Sequence, residues 1–310
     1  MTWAALAALI VLCISIYTPD SNPDQMLADY GGPTGAYIDA GDYRIFTREY
    51  GDPDGPPLIL IHGSNGNALT WEPMIEHLSG YRIITYDQPG HGLTGPHPMR
   101  DYSFDAMANG LESVRKAFDL AEFAVAGSSM GGRTAWTYAR RNPDRVSALI
   151  LISASGLPRR EGDAERPKSL VTRLIETPVL NKLMTVVTPR TLVDDSLRGM
   201  VADNRYVTDD LVDQYWRMIR MPGNRQATID RRLTTRDYAG EAIALDGLST
   251  PTLVIWGNQD RVVPPSNALR FAELLPNAEV TIWDDIGHLP MEEAPKRTAD
   301  LIAEFLTRDK

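Results

Sequence analysis

From Ala36 onward, short runs of apolar and β-branched residues alternate with longer stretches whose apolar residues have helical spacing. The candidate strands are Tyr43–Tyr50, Leu58–Ile61, Arg82–Tyr86, Phe123–Ala126, Ala148–Ile152, Thr252–Trp256 and Val280–Trp283. Candidate helices between them include Phe104–Leu120 and Met130–Arg141. Continuous apolar runs suit strands buried on both faces. The alternation therefore predicts an α/β fold, with a mostly parallel twisted sheet flanked by helices.

The alternation stops between residues 157 and 245, where no convincing buried strand occurs. This stretch contains helix-like runs, Leu170–Leu183 and Thr208–Met221, and is broken by prolines such as Pro178. We expect residues 157–245 to form a helical lid over the carboxyl ends of the strands, where ligands bind in open α/β sheets. The core of the fold would then comprise residues 36–156 and 246–310.

Composition excludes some classes of function. The formal net charge is −10, and no stripe of Lys and Arg with interleaved aromatic residues occurs. An acidic chain of this kind is not expected to bind nucleic acid. The single cysteine, Cys13, excludes a disulfide framework within the chain and a thiolate metal cluster.

The amino terminus begins with an uncharged, nearly apolar run from Trp3 to Tyr17. As a helix it would span roughly 22 Å, against about 30 Å for the hydrocarbon core of a bilayer. We predict a single-pass membrane anchor over residues 1–18, followed by a linker over residues 19–35. The alternatives are a cleaved signal peptide, which would give a secreted or periplasmic protein, and a buried core helix. No basic residue precedes Arg44, so the side of the membrane stays open.

The strongest local signal for chemistry is Gly127-Ser128-Ser129-Met130-Gly131, which follows a candidate strand and opens a candidate helix. A nucleophile on such a turn has a strained backbone, and glycines two residues to either side remove side chains that would collide with it. Ser129 has glycine at both flanking positions, whereas Ser128 does not. Ser129 is therefore the predicted nucleophile, with its hydroxyl at a helix amino terminus.

A serine hydroxyl needs a base, and the base needs a carboxylate to orient it. Of the five histidines, His288 lies just past the last candidate strand, before the final helix. Asp260 follows the strand Thr252–Trp256, whereas the loop after the strand ending at Ile152 has no acid. We predict that His288 is the base and that Asp260 orients it.

The tetrahedral intermediate of acyl transfer carries an oxyanion, which preorganised N–H donors stabilise. A Gly-rich turn that begins with His62 and Gly63 follows the strand ending at Ile61. Its glycines would allow close approach of the backbone. We expect the backbone N–H groups of Ser64 and Met130 to form the oxyanion hole.

The order Ser129, Asp260, His288 along the chain resembles that of the α/β-hydrolase family. Residues 87–92, which read Asp-Gln-Pro-Gly-His-Gly, are similar to the family's Asp-x-x-Gly-x-Gly turn, which is structural rather than catalytic. The resemblance covers residues 37–306 apart from the insertion predicted over residues 157–245, which corresponds to the family's variable lid. With its apolar amino terminus, the chain resembles membrane-anchored bacterial hydrolases and is similar in layout to anchored monoacylglycerol lipases.

The resemblance implies a serine hydrolase that cleaves a carboxylic ester, or a related acyl bond, through an acyl-enzyme and without metal or organic cofactor. A serine nucleophile disfavours haloalkane dehalogenase and epoxide hydrolase chemistry. Apolar residues in the insertion and an anchor beside a bilayer favour lipid-like or amphipathic esters.

Three alternatives stay open on the same fold. A carbon–carbon bond hydrolase would need a basic lid residue facing Ser129, and Leu289 stands where that branch usually has tryptophan. The candidate basic residues are Arg173, Arg198, Arg217, Arg225 and Arg231. A cofactor-free haloperoxidase or perhydrolase would use the same three residues. A ligand receptor could retain them without rapid turnover.

Overall fold

The computed structural model describes residues 16–158, 170–237, 245 and 247–308. The strands within these residues are β1 Ala36–Asp39, β2 Arg44–Gly51, β3 Pro57–Ile61, β4 Arg82–Tyr86, β5 Phe123–Ser128, β6 Val146–Ile152, β7 Thr252–Gly257 and β8 Ala278–Trp283. In the described part of the chain they form one eight-stranded sheet, ordered β1-β2-β4-β3-β5-β6-β7-β8. The pairs β1–β2 and β2–β4 are antiparallel, and the other neighbours are parallel. The predicted mostly parallel α/β sheet is confirmed.

The described helices lie mostly between the strands. They are α1 Pro23–Tyr30, α2 Glu72–Ile75, α3 Phe104–Ala117, α4 Met130–Arg141, α5 Leu170–Glu176, α6 Leu180–Met184, α7 Arg190–Met200, α8 Asp209–Ile219, α9 Asn224–Asp237, α10 Ser266–Leu274, α11 Pro290–Glu293 and α12 Pro295–Thr307. Short 3₁₀ helices also occur in the described chain, at Ala68–Trp71, Pro143–Arg145 and Asn204–Tyr206.

The central strands are buried on both faces, as their uninterrupted apolar sequences require. In β3, Ile59 and Ile61 pack with the core on the side of α3, α4 and α10. Leu58 and Leu60 point the other way and pack with α12 and with helices α7 and α8. Successive side chains of a strand alternate between faces, so one short run supplies both layers of core. The sheet is thereby held rigid between two helical layers, and its carboxyl edge can position side chains accurately.

Helices α5 to α9 lie between β6 and β7, and we call residues 170–237 the insertion. Its apolar side chains, among them Leu197 and Val212, pack in the same core cluster as Ile255 and Trp283 of the sheet. The interruption predicted at Pro178 separates α5 from α6. The insertion is therefore helical and seated on the body of the protein.

The predicted single-pass membrane anchor over residues 1–18 is wrong. No helix in the described part of the chain is both long enough and apolar enough to cross a bilayer. Residues 1–15 lie outside the described residues. At the other end, the Thr18 N–H donates to the Val186 oxygen (2.8 Å), and the Thr18 hydroxyl oxygen accepts from the Thr188 N–H (2.5 Å). The chain at Thr18 is therefore hydrogen-bonded to the insertion, and the apolar run Trp3–Tyr17 is short for a bilayer.

Residues 19–35, predicted as a linker, contain the helix α1. The Asn22 side chain caps it by accepting from the Gln25 N–H (3.0 Å). Met26 is fully buried against Phe46 and Met218, so the helix joins the sheet to the insertion. The segment is thus structured. The division of the chain into domains at residues 36, 157 and 246 stays a prediction.

Candidate active site

Ser129 lies on the sharp turn between β5 and α4. Its backbone has φ 52° and ψ −114°, a conformation that strains a residue with a side chain by about 1–3 kcal/mol. A Cβ atom at Gly131 would overlap the backbone oxygen of Ile61, and one at Gly127 would overlap the Gly131 carbonyl. Only glycine therefore fits at these two positions, and the turn can be as tight as the sequence pattern predicts.

Backbone hydrogen bonds hold this strained turn in place. The Ser129 N–H donates to the Ile152 oxygen (2.9 Å), and its carbonyl oxygen accepts from the Ser155 N–H (2.9 Å). The side chain of Ser129 is partly exposed, whereas Ser128 is fully buried. Ser129 is therefore the serine of this motif that solvent reaches.

His288 and Asp260 are brought together, as predicted. The His288 Nδ1 atom lies 2.7 Å from Asp260 Oδ2, and both side chains are buried. The other carboxylate oxygen, Oδ1, accepts from the backbone N–H groups of Val262 (2.7 Å) and Val263 (2.9 Å). Since Asp260 accepts at Nδ1, the neutral ring carries its proton there. The lone pair of Nε2 is then available to take a proton.

The loops that carry these residues are tied together at one edge of the sheet. Strands β5, β6, β7 and β8 are consecutive and parallel, so their carboxyl ends lie side by side. The Ser153 N–H after β6 donates to the Ile255 oxygen of β7 (2.9 Å), and the Asn258 N–H after β7 donates to the Trp283 oxygen of β8 (2.7 Å).

Within the described residues no hydrogen bond joins Ser129 Oγ to the His288 ring. Such contacts are often long in a free enzyme and tighten with substrate bound.

The turn of residues 63–66, which we call the oxyanion loop, lies beside Ser129. A Cβ atom at Gly63 would lie only 3.2 Å from the Ser129 Cβ. The Gly63 oxygen accepts from the Gly66 N–H (3.1 Å) and from the His62 ring (Nδ1, 2.7 Å). Because the peptide unit is planar and trans, fixing this carbonyl also fixes the opposite direction of the Ser64 N–H.

The second predicted donor, the Met130 N–H, belongs to the first residue of α4. The first N–H groups of a helix have no acceptor within the helix. Neither the Ser64 nor the Met130 N–H donates a hydrogen bond among the described residues. Both N–H groups are therefore without an acceptor among the described residues, which an oxyanion hole would require.

His62 orients the oxyanion loop and is unsuited to be the base. Its Nε2 accepts from the Gln88 N–H (3.0 Å), so Nδ1 carries the proton that goes to the Gly63 oxygen. Burial lowers the pKa of His62 to about 4, with a smaller contribution from the nearby charge of Arg231, although the hydrogen bond to Gly63 opposes the fall. The ring is neutral at pH 7, which this pair of hydrogen bonds requires. Gln88 also donates to the His62 oxygen (2.7 Å) and thereby holds both sides of this residue.

Asp87 is a structural residue at the start of the Gly-rich turn that resembles the family's. Its carboxylate accepts from the N–H groups of Ala68 (2.7 Å) and Leu93 (2.6 Å). Burial raises its pKa to about 6, although these two hydrogen bonds act in the opposite direction. A Cβ atom at Gly92 would overlap this carboxylate. Asp87 is occupied with holding the loop.

Glu293 is a site residue that sequence reasoning missed. Its carboxylate accepts from the N–H groups of Gly287 (3.0 Å) and Leu289 (3.1 Å), which flank His288, and from that of Ala202 (2.7 Å) in the insertion. The His288 N–H in turn donates to the Met200 oxygen (2.7 Å). Hydrogen bonds of its own backbone and of its two neighbours therefore hold His288 in place. The sequence did contain a sign of this role. Glu293 comes a few residues after His288, near the start of a helix, where a carboxylate can accept from the free N–H groups of the residues before it.

Within residues 16–158, 170–237, 245 and 247–308, no group of three or more His, Cys, Asp or Glu side chains is arranged to hold a metal ion.

A family model described as alpha/beta hydrolase fold matches residues 56–295. The chain belongs to the α/β-hydrolase family. The resemblance predicted from the sequence is thus confirmed, and residues 63–66, Ser129, Asp260 and His288 all lie within the matched part of this α/β hydrolase.

Several relatives of this α/β hydrolase are lipases. The chain is 30% identical to Lipase 3 of Moraxella sp. over 84% of this chain and 80% of the relative. It is 27% identical to a monoacylglycerol lipase of Bos taurus over 87% of this chain and 81% of the relative. Its structure is also similar to that of a meta-cleavage product hydrolase from Pseudomonas fluorescens, with a TM-score of 0.75 and 26% identity, covering 89% of this chain and 99% of that one.

Proposed function

We propose that this α/β hydrolase cleaves carboxylic ester bonds through an acyl-enzyme on Ser129. The observation that carries the proposal is the buried His288–Asp260 pair (2.7 Å) at the same sheet edge as a serine on a strained turn. The lipase relatives support an ester as the substrate. We propose Ser129 as the nucleophile, His288 as the general base and Asp260 as the group that orients it.

The first half of the cycle forms the acyl-enzyme. Ser129 Oγ attacks the carbonyl carbon while His288 Nε2 takes the hydroxyl proton, and Asp260 stabilises the imidazolium. The carbonyl oxygen becomes an oxyanion and accepts from the N–H groups of Ser64 and Met130. Collapse of this intermediate breaks the bond to the alcohol, which leaves with the proton from His288.

The second half releases the acid. His288 takes a proton from water as the water oxygen attacks the acyl carbon, and the same N–H groups stabilise the second oxyanion. The bond to Ser129 Oγ then breaks, and the serine recovers its proton from His288. The buried pair supplies proton transfer, and the rigid turn supplies orientation.

We further propose that the insertion is the lid of the substrate site. It holds the His288 loop through Met200 and Ala202, and its helix α9 contacts the oxyanion loop through Arg231. A segment with contacts to both halves of the site borders the place where substrate must bind. The domain limits of the lid, residues 157–245, are part of this proposal.

The test is turnover on a series of aryl esters graded by acyl length. We expect steady hydrolysis, and we expect Ser129→Ala to lower kcat by about 10³-fold or more. Ser128→Ala is the matched control, since that buried hydroxyl lies one residue away, and it should retain activity. Turnover by Ser129→Ala at the unchanged rate would refute the proposal. The series would also define the preferred acyl length.

A second candidate function is hydrolysis of a carbon–carbon bond in a vinylogous keto acid. The structural similarity to a meta-cleavage product hydrolase favours it, as does a buried basic side chain of the insertion, Arg231, beside Ser64. The residue after His288 is Leu289, where tryptophan is usual in that branch. The ratio of kcat/KM for a keto acid and for a short aryl ester decides between the two, and we expect the ester to be preferred.

Labelling with a fluorophosphonate separates an enzyme from a receptor built on the same fold. An activated Ser129 should react with the probe, and ester turnover should follow. A protein that binds ligands but neither reacts nor turns over would be a receptor.

A further inference from the structure

Arg231 joins the insertion to the oxyanion loop. It lies in α9, and its side chain is only 3% exposed. Its Nη2 atom donates to the Asn65 side-chain oxygen (2.7 Å) and to the Ser64 hydroxyl oxygen (3.1 Å). Both acceptors are neutral oxygens of the oxyanion loop, so these two hydrogen bonds hold the loop from the side of the insertion.

A second side chain of α9 adds a hydrogen bond to this contact, and we call the hydrogen bonds from α9 to the oxyanion loop the grip. The Thr228 hydroxyl, one helical turn before Arg231, donates to the same Asn65 oxygen (3.1 Å). Asn65 has φ 61°, in the left-handed region that asparagine tolerates better than most residues. The two donors therefore bind the residue whose backbone conformation defines the shape of the turn.

The two sides of the loop are fixed by different parts of the protein. The Gly63 oxygen is held by the His62 ring from the body and by the Gly66 N–H within the loop, as described above. The side chains of Ser64 and Asn65 are held from the insertion by Arg231. The N–H of Ser64 lies between these anchors. Its direction consequently depends on α9 as well as on the body.

The positive charge of Arg231 acts electrostatically on the oxyanion loop. Burial lowers the pKa of Arg231 to about 10, so the guanidinium remains charged at pH 7. The same charge contributes to the lowered pKa of His62, whose ring binds the Gly63 oxygen. A fixed positive charge near the donors of an oxyanion hole stabilises negative charge as it develops.

We propose that Arg231 is a positioning residue that holds the oxyanion loop, and with it the Ser64 N–H, in the geometry required for acyl transfer. The oxyanion hole is then complete only while α9 is seated on the body. The inference rests on the proposed function, because the Ser64 N–H matters to the rate only if an oxyanion forms there.

The kinetic test uses Arg231→Gln and Asn65→Gly on a short, neutral aryl ester. Glycine adopts the positive φ of residue 65 without strain and removes the oxygen that accepts from Arg231 and Thr228, so that only the bond from Arg231 to the Ser64 hydroxyl remains. Since a displacement of about 1 Å can lower a rate by about 100-fold, we expect each variant to reduce kcat by about 10-fold or more with little change in KM. The double variant should lose little more than either one, because both remove the same interaction. Arg231→Lys, which keeps the charge, should restore part of kcat.

Arg225→Gln is the matched control. Arg225 is also a buried arginine of α9, but it binds Asp20 (2.6 Å) and the Thr18 oxygen (2.8 Å), away from the oxyanion loop. It should reduce thermal stability without the loss of kcat. Equal loss of kcat in Arg225→Gln and Arg231→Gln would mean that seating of the insertion alone is responsible, and it would overturn the assignment.

A different outcome would assign Arg231 to substrate binding. If Arg231→Gln leaves kcat on the neutral ester unchanged but raises KM for an ester with a carboxylate on its acyl chain, the positioning role is refuted. Amide hydrogen exchange at Gly66, whose N–H closes the turn, tests the grip without any turnover. Faster exchange in Arg231→Gln than in Arg225→Gln is expected, and equal exchange refutes the grip. If the wild-type protein neither turns over esters nor reacts with a fluorophosphonate, the proposed function fails while the exchange result still stands.

Discussion

Glu292 joins the insertion to the body of the protein close to His288, and through it we expect pH to act on stability. Its Oε1 atom accepts from the Tyr215 hydroxyl of α8 (2.8 Å), and that hydroxyl also contacts the Thr70 hydroxyl (3.0 Å). Burial raises the pKa of Glu292 to about 7 from 4.5. The Tyr215 hydrogen bond opposes the rise, and the charge of Glu293 adds to it. The carboxyl group is therefore easier to bury when protonated.

The magnitude follows from that pKa. A rise from 4.5 to about 7 corresponds to roughly 3 kcal/mol, at about 1.4 kcal/mol for each tenfold change in the protonation equilibrium. The folded protein holds the proton more tightly than the unfolded chain. This contribution to stability is therefore fully present below pH 4.5 and is lost as pH rises to about 7.

The perturbation is Glu292→Gln, and the assay is urea unfolding at a series of pH values from about 5 to about 8, followed by linear extrapolation. The variant keeps an oxygen for the Tyr215 hydroxyl but cannot ionise. We expect the free energy of unfolding of the wild type to fall relative to the variant by roughly 2.5 kcal/mol across this range. Glu76→Gln, at an exposed glutamate, is the control and should follow the wild type. Parallel pH curves for the wild type and Glu292→Gln would refute the reasoning.

Three further predictions concern the site. Asp260→Asn should lower kcat on aryl esters by about 10³-fold to 10⁴-fold through loss of the correct His288 tautomer, with an unfolding midpoint near that of the wild type, checked by steady-state kinetics and calorimetry. Glu293→Gln should lower the free energy of unfolding by about 1–3 kcal/mol, because one buried backbone N–H would then face the amide NH₂ of glutamine. Urea unfolding measures this change, and an unchanged value would contradict the role given to Glu293. Gly131→Ala should prevent accumulation of folded protein, because the added Cβ overlaps the Ile61 oxygen; soluble, active protein would contradict it.

Much of the sheet could be predicted because its strands are buried on both faces. The run Arg82–Tyr86 matches β4 at both ends, and Met130–Arg141 matches α4. Short β1 was missed, because Ala36–Asp39 is a partly exposed edge strand with little apolar signal. Helix α9 was missed because its sequence is mostly polar, and tertiary contacts such as those of Arg231 hold it in place.

The candidate site could likewise be predicted only in part from the sequence. The contact between His288 and Asp260 was expected from their positions at neighbouring strand ends, and it is present; the catalytic roles stay predictions. The part played by Glu293 depends on three N–H groups, two of them beside His288 and one in the insertion, that only the folded chain brings together. Arg231 was one of five possible basic residues, and sequence spacing does not indicate which of them reaches the oxyanion loop.

At the amino terminus, an apolar run alone was not enough to predict a membrane-spanning helix. Fifteen uncharged residues satisfy a composition rule, but roughly 22 Å of helix is short of a bilayer core of about 30 Å. The hydrogen bonds of Thr18 to the insertion depend on a segment some 170 residues away in sequence, as the separation of 168 between Thr18 and Val186 illustrates. No local pattern predicts such a contact.

The most direct test of the account is the site of covalent labelling by a fluorophosphonate. Peptide mass spectrometry should find one adduct, on Ser129, which is lost in Ser129→Ala and formed much more slowly in His288→Ala. An adduct on another residue, or labelling at the wild-type rate without His288, would contradict the claim that the buried imidazole–carboxylate pair activates this serine.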